Sequence, residues 1–359
     1  MTQSVLAPAL IPGHFPVMDA DRLLADLTAG RPAALARAIT MVENGRPGFE
    51  QLLASVHQRL GWAHRIGITG PPGAGKSTLT EALVRAYRSA GHRVAVVAVD
   101  PTSPFSGGAL LGDRIRMESV ALDDGVFIRS MATRGSLGGV AVTTREVCDI
   151  LDAAGFDRVI IETVGVGQSE MDVSRAADST VLVLVPESGD GIQTLKSGIM
   201  EVADLFVVNK ADRPGADKLV REIEISLGIR RGNAFRHVPA HHGVRAGRRA
   251  TPEPEADGWK QPVIQTVASR DEGTSALVEG LERHHEWLGS SGTLAERRRR
   301  RMMERSREVF ERALRRWIWT QTDAEARLSA RLDEEMAGQV SPYEVAAEVL
   351  EGFKQGTHA

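Results

Sequence analysis

Gly70-Pro-Pro-Gly-Ala-Gly-Lys-Ser77 reads G-x-x-x-x-G-K-[ST], and it stands between an apolar run, Ile66-Gly-Ile-Thr69, and a helix-forming one, Leu79-Thr-Glu-Ala-Leu-Val84. Strand, glycine turn and helix thus occur in the order that gives this motif its meaning. In that setting the loop N–H groups and the helix N-terminus converge on phosphate oxygens. Lys76 can reach the β and γ oxygens, and the Ser77 hydroxyl can ligate Mg²⁺. The expectation is a nucleoside triphosphate site in which Gly70, Pro71, Pro72, Gly73, Ala74, Gly75, Lys76, Ser77 and Thr78 surround the phosphates. A turn kept for backbone geometry alone would need neither the lysine nor the serine.

Outward from the loop, residues 65 to 269 alternate short β-rich runs with helical stretches, the pattern of parallel strands joined by crossover helices. Strands are expected at 65–69, 93–99, 126–129, 158–162, 180–185, 205–208 and 263–267. Several are apolar almost throughout, as strands are when helices cover both faces of a sheet. The fold class is therefore α/β, a P-loop core with a mainly parallel sheet, and its ligand belongs at the strands' carboxyl ends. Helical extensions flank it. Apolar residues at helical spacing (Leu23, Leu24, Leu27, Leu35, Ile39, Leu52, Leu53, Val56, Leu60) fill an N-terminal part cut by glycine and proline into about three segments. The expected division is 1–60 as N-terminal extension, 61–290 as nucleotide domain and 291–359 as C-terminal helical arm.

That arm begins Leu294-Ala-Glu-Arg-Arg-Arg-Arg-Arg301, but Glu296, Glu304, Glu308 and Glu311 offer helical ion-pair partners, so the arginines read as a solvated face. Met303, Phe310, Leu314 and Trp317 form an apolar stripe that needs cover. A homodimer would supply it; packing onto the chain's own core is the alternative.

Composition narrows the partners. A net charge of −3 over 359 residues lacks the positive field that holds nucleic acid by its phosphates, so no nucleic acid is expected. No run approaches the roughly 20 apolar residues of a membrane-spanning helix, so no membrane is expected either. The lone Cys148 excludes an intrachain disulfide and a cysteine-based zinc site; it reads as a buried apolar residue in a reducing, cytoplasmic setting. The N-terminal run from Val5 to Ile11 lacks a basic leader and is broken by prolines, making a poor signal peptide. His237, His241 and His242 lie in a region without ligand spacing and read as loop residues.

Asn209-Lys-Ala-Asp212 follows the apolar Leu205-Phe-Val-Val208 and matches N-K-x-D. The Asp212 carboxylate can accept from guanine N1–H and its 2-amino group, whereas adenine would leave it unpaired, so the base is expected to be guanine. Asn209, Lys210, Asp212 and the later Ser269 are the base-side candidates. For Mg²⁺ the oxygen donors are Ser77, Asp100, Asp113 and Glu162: the first in the loop, Asp100 and Glu162 at strand ends, Asp113 in Leu111-Gly-Asp-Arg114.

With Asp100-Pro-Thr-Ser-Pro-Phe-Ser-Gly-Gly108, Gly135-Ser-Leu-Gly-Gly139, Glu162-Thr-Val-Gly-Val-Gly-Gln-Ser-Glu170, Gly189-Asp-Gly-Ile-Gln193 and Lys196 added, the chain resembles the accessory GTPases of methylmalonyl-CoA mutase, in the signal-recognition-particle and MinD-related class. The resemblance spans the core and both extensions. It implies GTP hydrolysis to GDP and phosphate, with Mg²⁺ on Ser77, Asp100, Asp113 and Glu162. It further implies a chaperone of an adenosylcobalamin-dependent acyl-CoA mutase, homodimerisation through the C-terminal arm, and a mobile loop, 187–196, communicating with the mutase. Catalytic roles fall on Lys76, Glu162 and Lys196. That loop departs from many relatives, which begin it Pro-Gly-Ala or Pro-Gly-Gly where Glu-Ser-Gly stands here. The rival readings are a metal-insertion GTPase, a P-loop kinase, and a binding module whose nucleotide is structural.

Overall fold

A computed structural model of the chain describes residues 20–101, 117, 119–133, 139–163, 169–186, 199–230 and 258–355. Among them a seven-stranded sheet runs in the order β3-β2-β4-β1-β5-β6-β7. The strands are β1 (His64–Thr69), β2 (Val94–Pro101), β3 (Val126–Thr133), β4 (Arg158–Thr163), β5 (Ser179–Leu184), β6 (Leu205–Asn209) and β7 (Val263–Thr266). Every pairing is parallel, and each expected strand has its counterpart.

Side chains alternate across the sheet with a period of two, and that alternation sorts the helices into two layers. Ala95, Val97, Val99, Val159 and Ile161 face one buried cluster with α1 (Ala20–Thr28), α2 (Pro32–Glu43), α3 (Phe49–Val56), α5 (Gly139–Ala153) and α6 (Ser169–Ala176). Val94, Val96, Ile160, Val181 and Val183 face another with α4 (Lys76–Ser89) and α9 (Thr274–Ser290). Leu182, Leu184, Phe206 and Val208 pack with α7 (Ile199–Val202) and α8 (Ala216–Arg230). The N-terminal helices share the sheet's core: Leu27, Ile39, Leu52 and Val56 are buried, each contributing roughly 1.5–3 kcal/mol by leaving water. Asp152 of α5 fastens the segment leading into β1, accepting from the N–H groups of Gly61, Trp62 and Ala63 at 2.8–3.2 Å.

At the amino ends of the strands lies a buried polar chain. Ser179 Oγ sits 2.8 Å from both His64 Nε2 and His284 Nδ1. A hydroxyl can donate to one imidazole and accept from the other. His284 Nε2 is 3.4 Å from Asp204 Oδ1, Asp204 Oδ2 accepts from Thr180 N at 2.9 Å, and Trp259 Nε1 donates to Asp204 O at 2.7 Å. His285 stacks on His64 at 4.1 Å.

The chain divides between Ala295 and Glu296 into two compact units, with α10 (Thr293–Gln321) starting just before the division. The second unit adds α11 (Ala324–Ala330), α12 (Leu332–Met336) and α13 (Pro342–Lys354). A capping box starts α13: Glu344 N donates to Ser341 Oγ while Ser341 N donates to the Glu344 carboxylate. Trp317 packs on Phe353 with ring centroids 5.9 Å apart, and Arg300 pairs with Glu296 at 3.2 Å. Met303, Phe310 and Leu314 of the expected stripe are exposed, as are Leu332, Met336, Tyr343 and Leu350. Among the described residues no helix is long and apolar enough to cross a membrane. Cys148 is buried and forms no disulfide.

Candidate functional site

Strand β1 ends beside β4 and β5, and the chain turns through the glycine loop into α4. Gly70 has φ 139, and a Cβ there would lie 2.1 Å from Val183 O, so glycine alone lets the loop cross so near β5. The loop delivers the N-terminus of a 14-residue helix, whose unpaired N–H groups and dipole suit an anion. Lys76 is buried and donates to Gly70 O at 2.9 Å and Pro71 O at 3.0 Å. Its ammonium is therefore curled over the loop it would share with phosphates. Thr78 is exposed beside it.

Glu162 stands near the end of β4, opposite Ile68 of β1 and Ala98 of β2. The Ser77 hydroxyl donates to Glu162 Oε1 at 2.6 Å, and Glu162 is buried. Two oxygen donors of the types that hard divalent cations favour thus meet at the first turn of α4. Asp100 lies in β2 opposite Ala132 of β3, its side chain outside the described residues. Asp113 and Lys196, together with the histidines at 237, 241 and 242, also lie outside them.

The base-side motif is bound to the phosphate loop by one side chain. Asn209 Nδ2 donates to Ala74 O at 2.8 Å, and Asn209 Oδ1 accepts from Ala268 N at 3.1 Å and the Thr266 hydroxyl at 3.0 Å. A Cβ on Gly75, at φ 84, would lie 2.4 Å from Asn209 Nδ2, so the loop's last glycine makes room for that amide. Lys210 adopts left-handed backbone, φ 56, and donates to Gly73 O at 2.9 Å. Ala211 N donates to Thr266 O at 3.0 Å, laying the N-K-x-D turn along the end of β7. A cage results, with the glycine loop's backbone at one end and the Asp212 carboxylate at the other.

Residues 35–323 match the family described as methylmalonyl-CoA mutase-associated GTPase MeaB. The chain belongs to that family. A Pyrococcus horikoshii protein named as a GTPase is 46% identical over 290 residues, spanning 81% of this chain and 85% of the relative. The mouse methylmalonic aciduria type A homolog is 36% identical over 292 residues, or 77% of this chain and 66% of the mouse protein. A solved LAO/AO transport system kinase superposes with TM-score 0.61 at 27% identity, covering 93% of this chain and 97% of that one. This mutase-associated family member is accordingly a GTPase with a P-loop fold.

Ser269, expected at the base, lies exposed in the turn Ala268–Arg270, while the neighbouring Ala268 N–H points at Asn209. Thr266 and Arg270 escaped the sequence reading. The signal for Thr266 was its place at the end of the next apolar strand after N-K-x-D. Arg270 carried none, because an arginine in a polar turn reads as surface.

Proposed function

We propose that this GTPase is a chaperone of an adenosylcobalamin-dependent acyl-CoA mutase, gating cofactor loading and release through nucleotide-dependent rearrangement. The observation that carries the reading is the joined cage of phosphate loop, Asn209 and Asp212 in a chain whose residues 35–323 match a mutase-associated family. GTP and GDP occupy the cage. Lys76 exchanges the Gly70 and Pro71 carbonyls for β and γ oxygens, loop amides hold the remaining charge, and Asp212 accepts from guanine. Water attacks the γ-phosphorus in line and GDP leaves, with charge spread over the γ oxygens in a loose transition state.

The Ser77–Glu162 pair fits a magnesium ion, since both are oxygen donors and need little movement to share one. Ser77 and Glu162 would hold it with Asp100 and Asp113. When bound, it neutralises phosphate charge that the protein's cations do not reach. The uncovered face of the C-terminal unit, with Met336 and Tyr343 more than four-fifths exposed, supports a homodimer, and loop 187–196 with Lys196 is the contact toward the mutase. The buried, reduced Cys148 agrees with a cytoplasmic setting. The test measures GTP turnover with and without magnesium and with a purified acyl-CoA mutase. Retention of the mutase on the immobilised GTPase and faster turnover in its presence are expected; no binding in any nucleotide state would overturn the chaperone reading.

A further inference from the structure

The turn after β7 carries an arginine that the chemistry above leaves unused. Val267 N donates to Glu272 O at 3.0 Å and Arg270 N to Val267 O at 2.8 Å. Gly273, at φ 78, closes the turn where a Cβ would lie 2.2 Å from Gln265 O. Arg85 of α4 reaches across to Asp271 at 2.9 Å. Arg270 therefore leaves from a turn pinned at several points, and its Nη2 lies 3.4 Å from Asp212 Oδ2. Among the described residues it is the one cation within ion-pair distance of that carboxylate.

We propose that Arg270 is a positioning residue for guanine selectivity, holding the Asp212 carboxylate edge-on to the purine and balancing its charge as the base displaces water. The inference rests on Asp212 as the guanine acceptor. An ionised carboxylate offers about four lone-pair sites on two oxygens. Guanine N1–H and its 2-amino group take one on each oxygen, leaving Oδ2 a second site for the guanidinium. Adenine offers no matching donors, so alignment of Asp212 helps guanine alone. Both partners are partly exposed, with side chains 60% and 35% accessible, which limits the effect to that of a surface pair.

Calorimetric titration of the full chain with GTP and with ATP tests this. Arg270→Ala should weaken GTP about three- to fivefold, leave ATP affinity where it was, and lose its effect in an Asp212→Asn background. Arg270→Lys, which keeps the charge, should recover most of the affinity. Unchanged GTP affinity, equal weakening of both nucleotides, or an effect that survives Asp212→Asn would overturn the role of Arg270. A wild-type chain that binds GTP no better than ATP would overturn instead the reading of Asp212 on which the proposal rests.

Discussion

At the carboxyl ends of the strands, Lys76 holds two loop carbonyls and Ser77 holds Glu162, in contacts that a ligand can replace. At the amino ends, His64, Ser179, His284 and Asp204 are linked one to the next by contacts within the protein, and all four are buried. Similar polar atoms thus serve opposite ends. Exchangeable partners leave a group available to a substrate, whereas partners buried in the core commit a group to stability, because a buried polar atom stripped of its partner costs about 1–3 kcal/mol. Strand β1 joins the two regimes, with His64 at its start and the phosphate loop after its last residue.

The largest expected effect separates the two ends directly. Lys76→Ala should lower GTP turnover by about a thousandfold, by analogy with the loss of one preorganised charge-stabilising donor; phosphate release near the wild-type rate would break the comparison. Next, His284→Ala should reduce the free energy of urea unfolding by about 3 kcal/mol, since it opens a void and strips Ser179 of a partner. GTP affinity in that variant should stay at the wild-type value, and a matching loss of affinity would show that the ends are not independent.

The smallest effect is a pH dependence that sharpens the picture of the buried end. Burial holds the His64 imidazole well below its ordinary pKa, helped by the nearby His285, Arg158 and His284 and opposed by Asp178. Below about pH 6.5 the unfolded chain therefore takes up a proton that the folded chain refuses, and stability falls as pH falls. The slope should approach about 1.4 kcal/mol per pH unit for this one group. Urea midpoints at about pH 7 and about pH 5.5 measure it, and a variant with His64→Gln should show a shallower decline.

What was legible in the chain follows from locality. The loop from Gly70 to Ser77 and its flanking runs carry strand, turn and helix within 20 residues, and the apolar strand runs announce the parallel sheet by composition alone. Glu162 and Asn209 could be placed at strand ends by the same logic, though not the amide bridge by which Asn209 reaches Ala74, 135 positions away. The His64–Ser179–His284 chain joins residues 115 and 105 apart, with no spacing that marks them. Period 3.6 identifies α1 to α3 as helices, yet which face of the sheet they cover depends on long-range packing that no local pattern encodes.

One amide, that of Asn209, has a consequence beyond its hydrogen bonds. Because it bonds Ala74 of the glycine loop and Ala268 beyond β7 at once, the loop and the N-K-x-D turn are tied together within the folded chain. The cost of ordering these two segments relative to each other then falls on folding, which lowers what nucleotide binding has to supply. A fragment such as pyrophosphate or guanosine would therefore meet a socket already in register for the half it lacks.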